Sequence, residues 1–328
     1  MGQSGLNGGA STQPVPAVLV TGANGFVGRA LCATLLARGV DTLGAVRGAA
    51  AAGQIAVGDL DAATDWSNAL AGRSVVVHLA ARVHVMDDRA GDPLAAYRIV
   101  NVDATVNLAR QAHAHGVRRF VFVSSIKVNG EATHGRPFRA DDAPAPVDPY
   151  GQTKLEAERA LQAFAAETDM ELVIVRPPLV YGPGVKANFA NLLRLAGRGI
   201  PLPLGLVRNR RSMVALDNLV DLLIVCICHR AAPGHVFLAS DGVDLSTAEL
   251  VTMMGRAMGK RVWLVPVPVG LMHFAAGLLG KRALMDRLAG SLQVDSTPAR
   301  ELLGWTPVLT PQQGIDRAAA PPGTSVFS

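Results

Sequence analysis

Tyr150 and Lys154 stand four residues apart in Tyr150-Gly-Gln-Thr-Lys154. On a helix that spacing stacks a phenol and an amine on one face, about one turn apart. An ammonium placed there favours the phenolate. A tyrosine able to give and take a proton near neutral pH is what hydride transfer to or from a carbonyl needs. Ser124-Ser125 lies about one helix and one loop upstream. The same residues also fit a plain helix start with an exposed Tyr and a solvated Lys, so the surrounding elements must decide.

Those elements alternate. Val15 to Thr21 is a short apolar strand running into Gly22-Ala-Asn24-Gly25-Phe26-Val27-Gly28, with a helix from Arg29 to Arg38. Strand, glycine turn and helix in that order open a dinucleotide-binding unit. The glycines allow a tight turn and bring a pyrophosphate close to the helix N-terminus. Asp41 to Val46 is the second strand. No acid ends it to take the ribose hydroxyls of NAD. Arg47 follows instead and can pair with the 2′-phosphate of NADP, or stand as an ordinary surface residue. Asp59 and Leu60 follow a third short strand, where the carboxylate can accept from an adenine amino group or cap the next helix.

Ser74 to Ala80 is a continuous apolar run, as a buried parallel strand should be. It ends in His78-Leu79-Ala80-Ala81, small enough for a cofactor to pack closely. His78 is expected to be a packed strand residue. Arg82 and His84, in the loop beyond, are better placed to meet a substrate. Tyr97 to His115 reads as one long helix, and Phe120 to Ser124 as a strand that delivers Ser125 to the carboxyl edge of the sheet. The helix Tyr150 to Thr168 and the strand Leu172 to Val175 follow. The expected fold is α/β, a Rossmann-type doubly wound parallel sheet with a smaller C-terminal substrate-binding lobe. Residues 1–14 read as a disordered tail, 15–178 mainly as the dinucleotide-binding domain, 179–318 mainly as the substrate lobe with some strands returning to the sheet, and 319–328 as a second tail.

A chain of 328 residues with 49% hydrophobic content can bury a large core, as one α/β unit or two lobes. The net charge of +5, mostly from Arg, suits anionic ligands. It is no nucleic-acid signature, because no dense basic run carries interleaved aromatics. Cys32, Cys226 and Cys228 match no metal or redox spacing and read as reduced core residues of a cytoplasmic protein. The N-terminus lacks the basic and apolar regions of a signal peptide. The longest apolar run, Val262 to Gly280, is interrupted by Pro266, Pro268 and His273. It reads as a strand and a buried helix, with no integral membrane segment, and contact with a membrane surface is the lesser alternative.

Taken together, several stretches resemble the extended short-chain dehydrogenase/reductase family, in its nucleotide-sugar epimerase/dehydratase branch. They are Thr21 to Gly28, His78 to Ala81, Asn101 to Leu108, Val123-Ser-Ser125, Tyr150-x-x-x-Lys154, Arg176 to Gly184 and Leu302 to Pro307. The resemblance implies NAD(P) binding, a UDP-sugar substrate and a homodimer. It places Ser125 on the sugar oxygen, Tyr150 as acid and base, and Lys154 on the nicotinamide ribose, where it lowers the tyrosine pKa. Asn101 matches a position that supports the site, and Pro177 and Val180 join the cofactor side. Asn188 matches a position against the diphosphate or uracil, with Lys186 beside it. Arg211 and Arg287 match basic positions facing the phosphates. Asn218 is a structural hydrogen-bonding position in such proteins.

Dehydratases of this branch carry Asp-Glu after the active-site Thr, whereas Ile126 and Lys127 stand here. An aliphatic chain transfers no proton and an ammonium is no carboxylate base, which argues against 4,6-dehydration. Lys127 is counted instead with His84 as a substrate contact. The stretches Ser124 to Glu131, Ala81 to Met86 and Ser291 to Asp295 are similar to the bacterial reductases that form UDP-N-acetylquinovosamine for O-antigen synthesis. The expected activity is therefore NAD(P)H-dependent reduction of the C4 keto group of a UDP-4-keto-6-deoxy-N-acetylhexosamine. Arg47 tilts the cofactor toward NADP(H). The alternative is a UDP-hexose or UDP-N-acetylhexosamine 4-epimerase with tightly held NAD, and a non-catalytic NADP-binding scaffold is the lesser one.

Overall fold

The runs of Val, Leu and Phe that leave no wet face become strands buried on both sides. The computed structural model describes residues 16–83 and 92–320. The expected tail 1–14, His84 and residues 321–328 lie outside the described residues. In chain order the strands are β1 (Val18–Thr21), β2 (Thr42–Val46), β3 (Gln54–Ala56), β4 (Val75–His78), β5 (Arg119–Val123), β6 (Glu171–Arg176), β7 (Leu179–Tyr181), β8 (Met213–Ala215) and β9 (Val236–Leu238). Seven of them form one sheet in the order β3-β2-β1-β4-β5-β6-β9, each pair parallel. β7 and β8 make a separate parallel pair. The fold is α/β and Rossmann-like, as expected. The winding reverses between β1 and β4, where Thr21 lies level with His78, so a crevice opens at the carboxyl ends of those strands.

The helices are α1 (Phe26–Ala37), α2 (Ser67–Leu70), α3 (Pro93–Arg98), α4 (Ala104–Ala114), α5 (Pro149–Ala166), α6 (Ala187–Gly197), α7 (Leu216–Cys228), α8 (Thr247–Ala257), α9 (Val269–Leu278), α10 (Arg282–Ala289), α11 (Thr297–Leu303) and α12 (Pro311–Ala319). Alternate strand residues point to opposite layers. Val18 and Val20 meet Leu31 and Leu35 of α1, Leu222 of α7 and Leu303 of α11 in one core. Leu19, Phe120 and Phe122 meet Leu108 of α4 and Leu161 of α5 in the other. A third core, with Tyr181, Phe189, Met213 and Met254, lies in the C-terminal part. The first layer thus draws α7, α11 and the neighbouring β9 from beyond residue 178.

Three local readings need correction. The helix expected over 97–115 is broken by a π-turn at Ile99–Asp103 between α3 and α4. Hydrogen bonds from Asn101 to distant residues hold that turn, and helical periodicity does not reveal them. The helix expected to be buried after Pro268 is α9, which has no buried residue. Its apolar content alone signalled a core, but no element covers its outer face among the described residues. Cys226 is buried, Cys32 half-buried and Cys228 exposed, so only the first behaves fully as a core residue.

Candidate active site

The glycine turn comes first because its geometry admits nothing larger. Gly22 has φ +66°, and a Cβ there would stand 2.9 Å from Ala80 N. A Cβ on Gly28 would fall 2.2 Å from Gly22 O. The turn therefore folds tightly against the end of β4 and leads into α1, whose first turn no side chain caps. Backbone donors at an uncapped helix start suit a pyrophosphate, and the small edge Leu79-Ala80-Ala81 leaves room beside them. The residues present fit a dinucleotide. Gly28→Ala is expected to weaken dinucleotide binding at least ~tenfold in a fluorescence titration, since backbone must shift to admit the methyl. An unchanged affinity would show that the turn adapts.

Thr21 and His78 seal the floor of the crevice. Thr21 Oγ1 accepts from Leu79 N at 3.2 Å and Ala80 N at 3.1 Å, which leaves its own proton for His78 Nδ1 at 2.7 Å. His78 Nε2 then donates to Thr105 Oγ1 at 2.9 Å, and that hydroxyl donates to Asn101 O at 2.9 Å. Burial, with the nearby charge of Lys154, pulls the His78 pKa down to about 3. It is a neutral structural residue, as the strand pattern suggests.

α5 carries Tyr150 and Lys154, the expected acid–base pair. Asp148 caps it by accepting from Gly151 N at 2.7 Å, and Pro149 pre-sets its first turn. Lys154 is only 2% exposed. Its Nζ donates to Val123 O at 2.9 Å, 4.5 Å from the Phe122 ring centre and 6.0 Å from that of Tyr150. Burial pulls the Lys154 pKa down to about 7, opposed by the Glu158 carboxylate one turn along. For Tyr150 the dominant influence is also burial, which raises the phenol pKa, and the charges of Asp148 and Tyr97 add to it. The resting phenol is thus held protonated more firmly than the helix spacing implies. An ammonium at 154, 6.0 Å from the Tyr150 ring centre, is placed to favour a phenolate there.

Ser125 ends the loop after β5 and is half-buried. Its Oγ accepts from Lys127 N at 3.3 Å, capping a short turn, and its proton stays available. Ile126 N donates to Pro177 O at 3.0 Å, which ties this loop to the end of β6. Ser124 Oγ beside it is buried with no protein partner, a polar atom at the carboxyl end of β5 suited to a bound ligand.

Other expected site residues sit differently. Asn101 Oδ1 accepts from Arg82 N at 2.8 Å, and its Nδ2 donates to Arg82 O at 3.1 Å and Thr153 Oγ1 at 3.1 Å. It clamps the loop after β4 to α5, and both its amide hydrogens are spent on the protein. Lys127 binds Glu131 at 2.8 Å and also Asp148, the cap of α5. Burial works to lower its pKa, but those two carboxylates outweigh it and the net direction is up. Its charge braces the start of α5. Arg211 Nη1 donates to Arg287 O at 3.0 Å and Gly290 O at 3.1 Å. The two residues meet through a carbonyl of α10, while the Arg287 side chain is exposed. Lys186 is exposed at the start of α6, and the side chain of Asn188 lies outside the described residues. Asn218 is buried and bonds Asp241 and the backbone of Leu309, as expected. Val180 lies half-buried in β7.

At the far end of the site, Arg47 and Asp59 face each other at 3.7 Å, 79% and 91% exposed. Leu60 is half-buried beside them. Asp59 caps no helix, since α2 starts after Trp66.

Sequence reading missed a buried ion pair behind the site. Arg176 donates to Glu158 at 2.9 and 2.5 Å, to Asn129 Oδ1 at 3.0 Å and to Ala140 O at 3.2 Å. Glu158 continues the row Tyr150, Lys154 at the same spacing, and that periodicity was the available signal.

Known proteins fall into line with this geometry. The NAD dependent epimerase/dehydratase family matches residues 18–239. A UDP-glucose 4-epimerase of Vibrio cholerae is 50% identical over 308 residues, 92% of this chain and 94% of that protein. The solved structure of MoeE5 in complex with UDP-glucose and NAD is 28% identical, with a TM-score of 0.71 over 92% of this chain and 97% of that one. The UDP-glucuronic acid 4-epimerase of Bacillus cereus in complex with NAD, at 21% identity, shares the fold with a TM-score of 0.73 over 92% of this chain and 97% of that one. The similarity to a 4-epimerase overturns the expected net 4-keto reductase. Ser, Tyr and Lys serve hydride traffic in either direction, so the trio never distinguished the two, and the NADP argument from Arg47 is weakened by the carboxylate facing it. By its matched residues and its sheet, the chain belongs to the NAD dependent epimerase/dehydratase family.

Proposed function

We propose that this protein interconverts the two C4 epimers of a UDP-hexose or UDP-N-acetylhexosamine, with NAD retained through the cycle. The observation that carries this reading is the 50% identity, over 92% of the chain, to a UDP-glucose 4-epimerase. The site supports it. Tyr150 with Lys154 stands as an acid–base pair at the carboxyl edge, and Ile126 and Lys127 supply no second one for elimination. Chemistry confined to one carbon, out and back, needs no more.

Bound NAD would supply the hydride acceptor and then the hydride donor. The Gly22–Gly28 turn and the start of α1 would hold its pyrophosphate. Arg47 and Asp59 would lie toward the adenosine, and the Asp59 carboxylate disfavours a 2′-phosphate, so NAD is preferred to NADP. Tyr150 takes the proton of the C4 hydroxyl and returns it after the sugar has presented its other face. Ser125 holds the C4 oxygen through both steps, and the Lys154 charge favours the Tyr150 phenolate that precedes the first proton transfer and follows the second. The UDP would reach toward α6 and the Arg211 region.

The test is direct. The purified protein is denatured and its nucleotide identified, and UDP-glucose and UDP-N-acetylglucosamine are each followed for the C4 epimer. Released NAD together with epimer formation and no net cofactor turnover is expected. Steady consumption of reduced cofactor without epimer would overturn the reading.

A further inference from the structure

α9 is apolar, well formed and bare. Leu271, Phe274 and Leu278 recur at three and four residues, so they share one stripe of the helix. They are 59%, 65% and 75% exposed, and Leu279 continues the stripe at the C-cap. Trp263 and Val265, just before the helix, are exposed too. Side chains this large and this contiguous on the surface mark a contact region.

The charges around the patch are predominantly positive. Between Lys260 and Gly290 the sequence carries Lys260, Arg261, Lys281, Arg282 and Arg287 against the single acid Asp286. Lys281 and Arg282 follow the stripe directly and are exposed. Asp286 is already engaged by His273 of α9 at 3.5 Å. Arg261 lies 4.7 Å from the Trp263 ring centre, an amphipathic aromatic beside a cation. An apolar stripe with an aromatic and a basic end is complementary to a layer that is oily inside and anionic at its face. The helix has 10 residues, about 15 Å, half the ~30 Å of a hydrocarbon core. No helix among the described residues is long and apolar enough to cross a membrane, so α9 would lie in the interface plane.

We propose that the stripe Leu271, Phe274 and Leu278 of α9, with Lys281 and Arg282 at its end, docks the protein on an anionic phospholipid surface. The patch is tied to the substrate lobe through His273–Asp286 and through Arg211 on the Arg287 carbonyl. Docking there would hold the UDP-sugar end of the protein near the bilayer.

Cosedimentation of the full chain with extruded vesicles tests this. Phosphatidylcholine with phosphatidylglycerol, roughly two to one, should carry down most of the protein, phosphatidylcholine alone little, and high salt should release it. Lys281→Glu with Arg282→Glu should cut partitioning about tenfold or more. Phe274→Ser with Leu278→Ser should abolish it at an unchanged melting temperature. The proposal falls if the anionic vesicles leave the protein in the supernatant, or if the serine variant partitions like the parent. It also falls if that variant turns a dimer into a monomer in free solution, because a second copy would then be what covers the face.

Discussion

Tyr150→Phe is expected to lower the rate of C4 interconversion by roughly 10²–10⁴-fold, the usual loss when a positioned acid–base group is removed. The ring stays, so the start of α5, capped by Asp148, should hold. NAD retained by the purified variant should match the parent, because the proposed pyrophosphate cradle is the Gly22–Gly28 turn. The measurement is turnover on UDP-glucose beside the amount of nucleotide released on denaturation. Near-normal turnover would remove Tyr150 from the chemistry, and a variant that loses nucleotide would show the phenol to be a cofactor contact first.

Lys154→Met should separate function from stability. Lys154 is buried against Phe122, and its pKa is pulled down to about 7 by burial. The ordinary value is 10.5, so between pH 7 and 10.5 the unfolded chain holds a proton that the folded chain has given up. Stability therefore rises with pH through that window, and the full cost of the buried ammonium is felt below about pH 7. Methionine fills the same slot without charge. It leaves Val123 O without its donor, which costs about 1–3 kcal/mol, but it removes a desolvation penalty of several kcal/mol. The variant should melt a few degrees higher at neutral pH, with a flatter dependence of melting temperature on pH, while turnover falls about 10²-fold or more. A lower melting temperature at pH 7 would mean that the Val123 bond and the ring contact outweigh the burial cost.

That Tyr150 and Lys154 share one helix was legible in the sequence because four-residue spacing needs no tertiary knowledge. The Gly22–Gly28 turn was legible for a similar reason, since only glycine meets the contacts at Gly22 and Gly28. The break in the helix around Asn101 was not. It exists because one amide bonds Arg82 and Thr153, 19 and 52 residues away. The pairing of Lys127 with Asp148 was hidden on the same ground, since that carboxylate stands 21 residues downstream. α9 was taken for core because hydropathy reports composition and not cover. The direction of net reaction was beyond the trio altogether, as reducing and epimerising sites present the same phenol, amine and hydroxyl to one carbon.

The order of strands also governs how the chain is born. β6 ends at Arg176, and its outer neighbour β9 begins only at Val236, after β7, α6, β8 and α7. On the ribosome the edge of β6 emerges unpaired and waits while that whole excursion is made, some seconds at ~5–20 residues per second. Part of the helical layer behind it waits longer, until α11 and Trp305 have cleared the exit tunnel. A nascent chain halted near residue 178 would hold every glycine of the cofactor turn and the Tyr150–Lys154 pair, yet present an open β edge and an uncovered face to the cell. For this protein the vulnerable interval lies late in synthesis, when Tyr150 and Lys154 are already made and the sheet that must hold them is still incomplete.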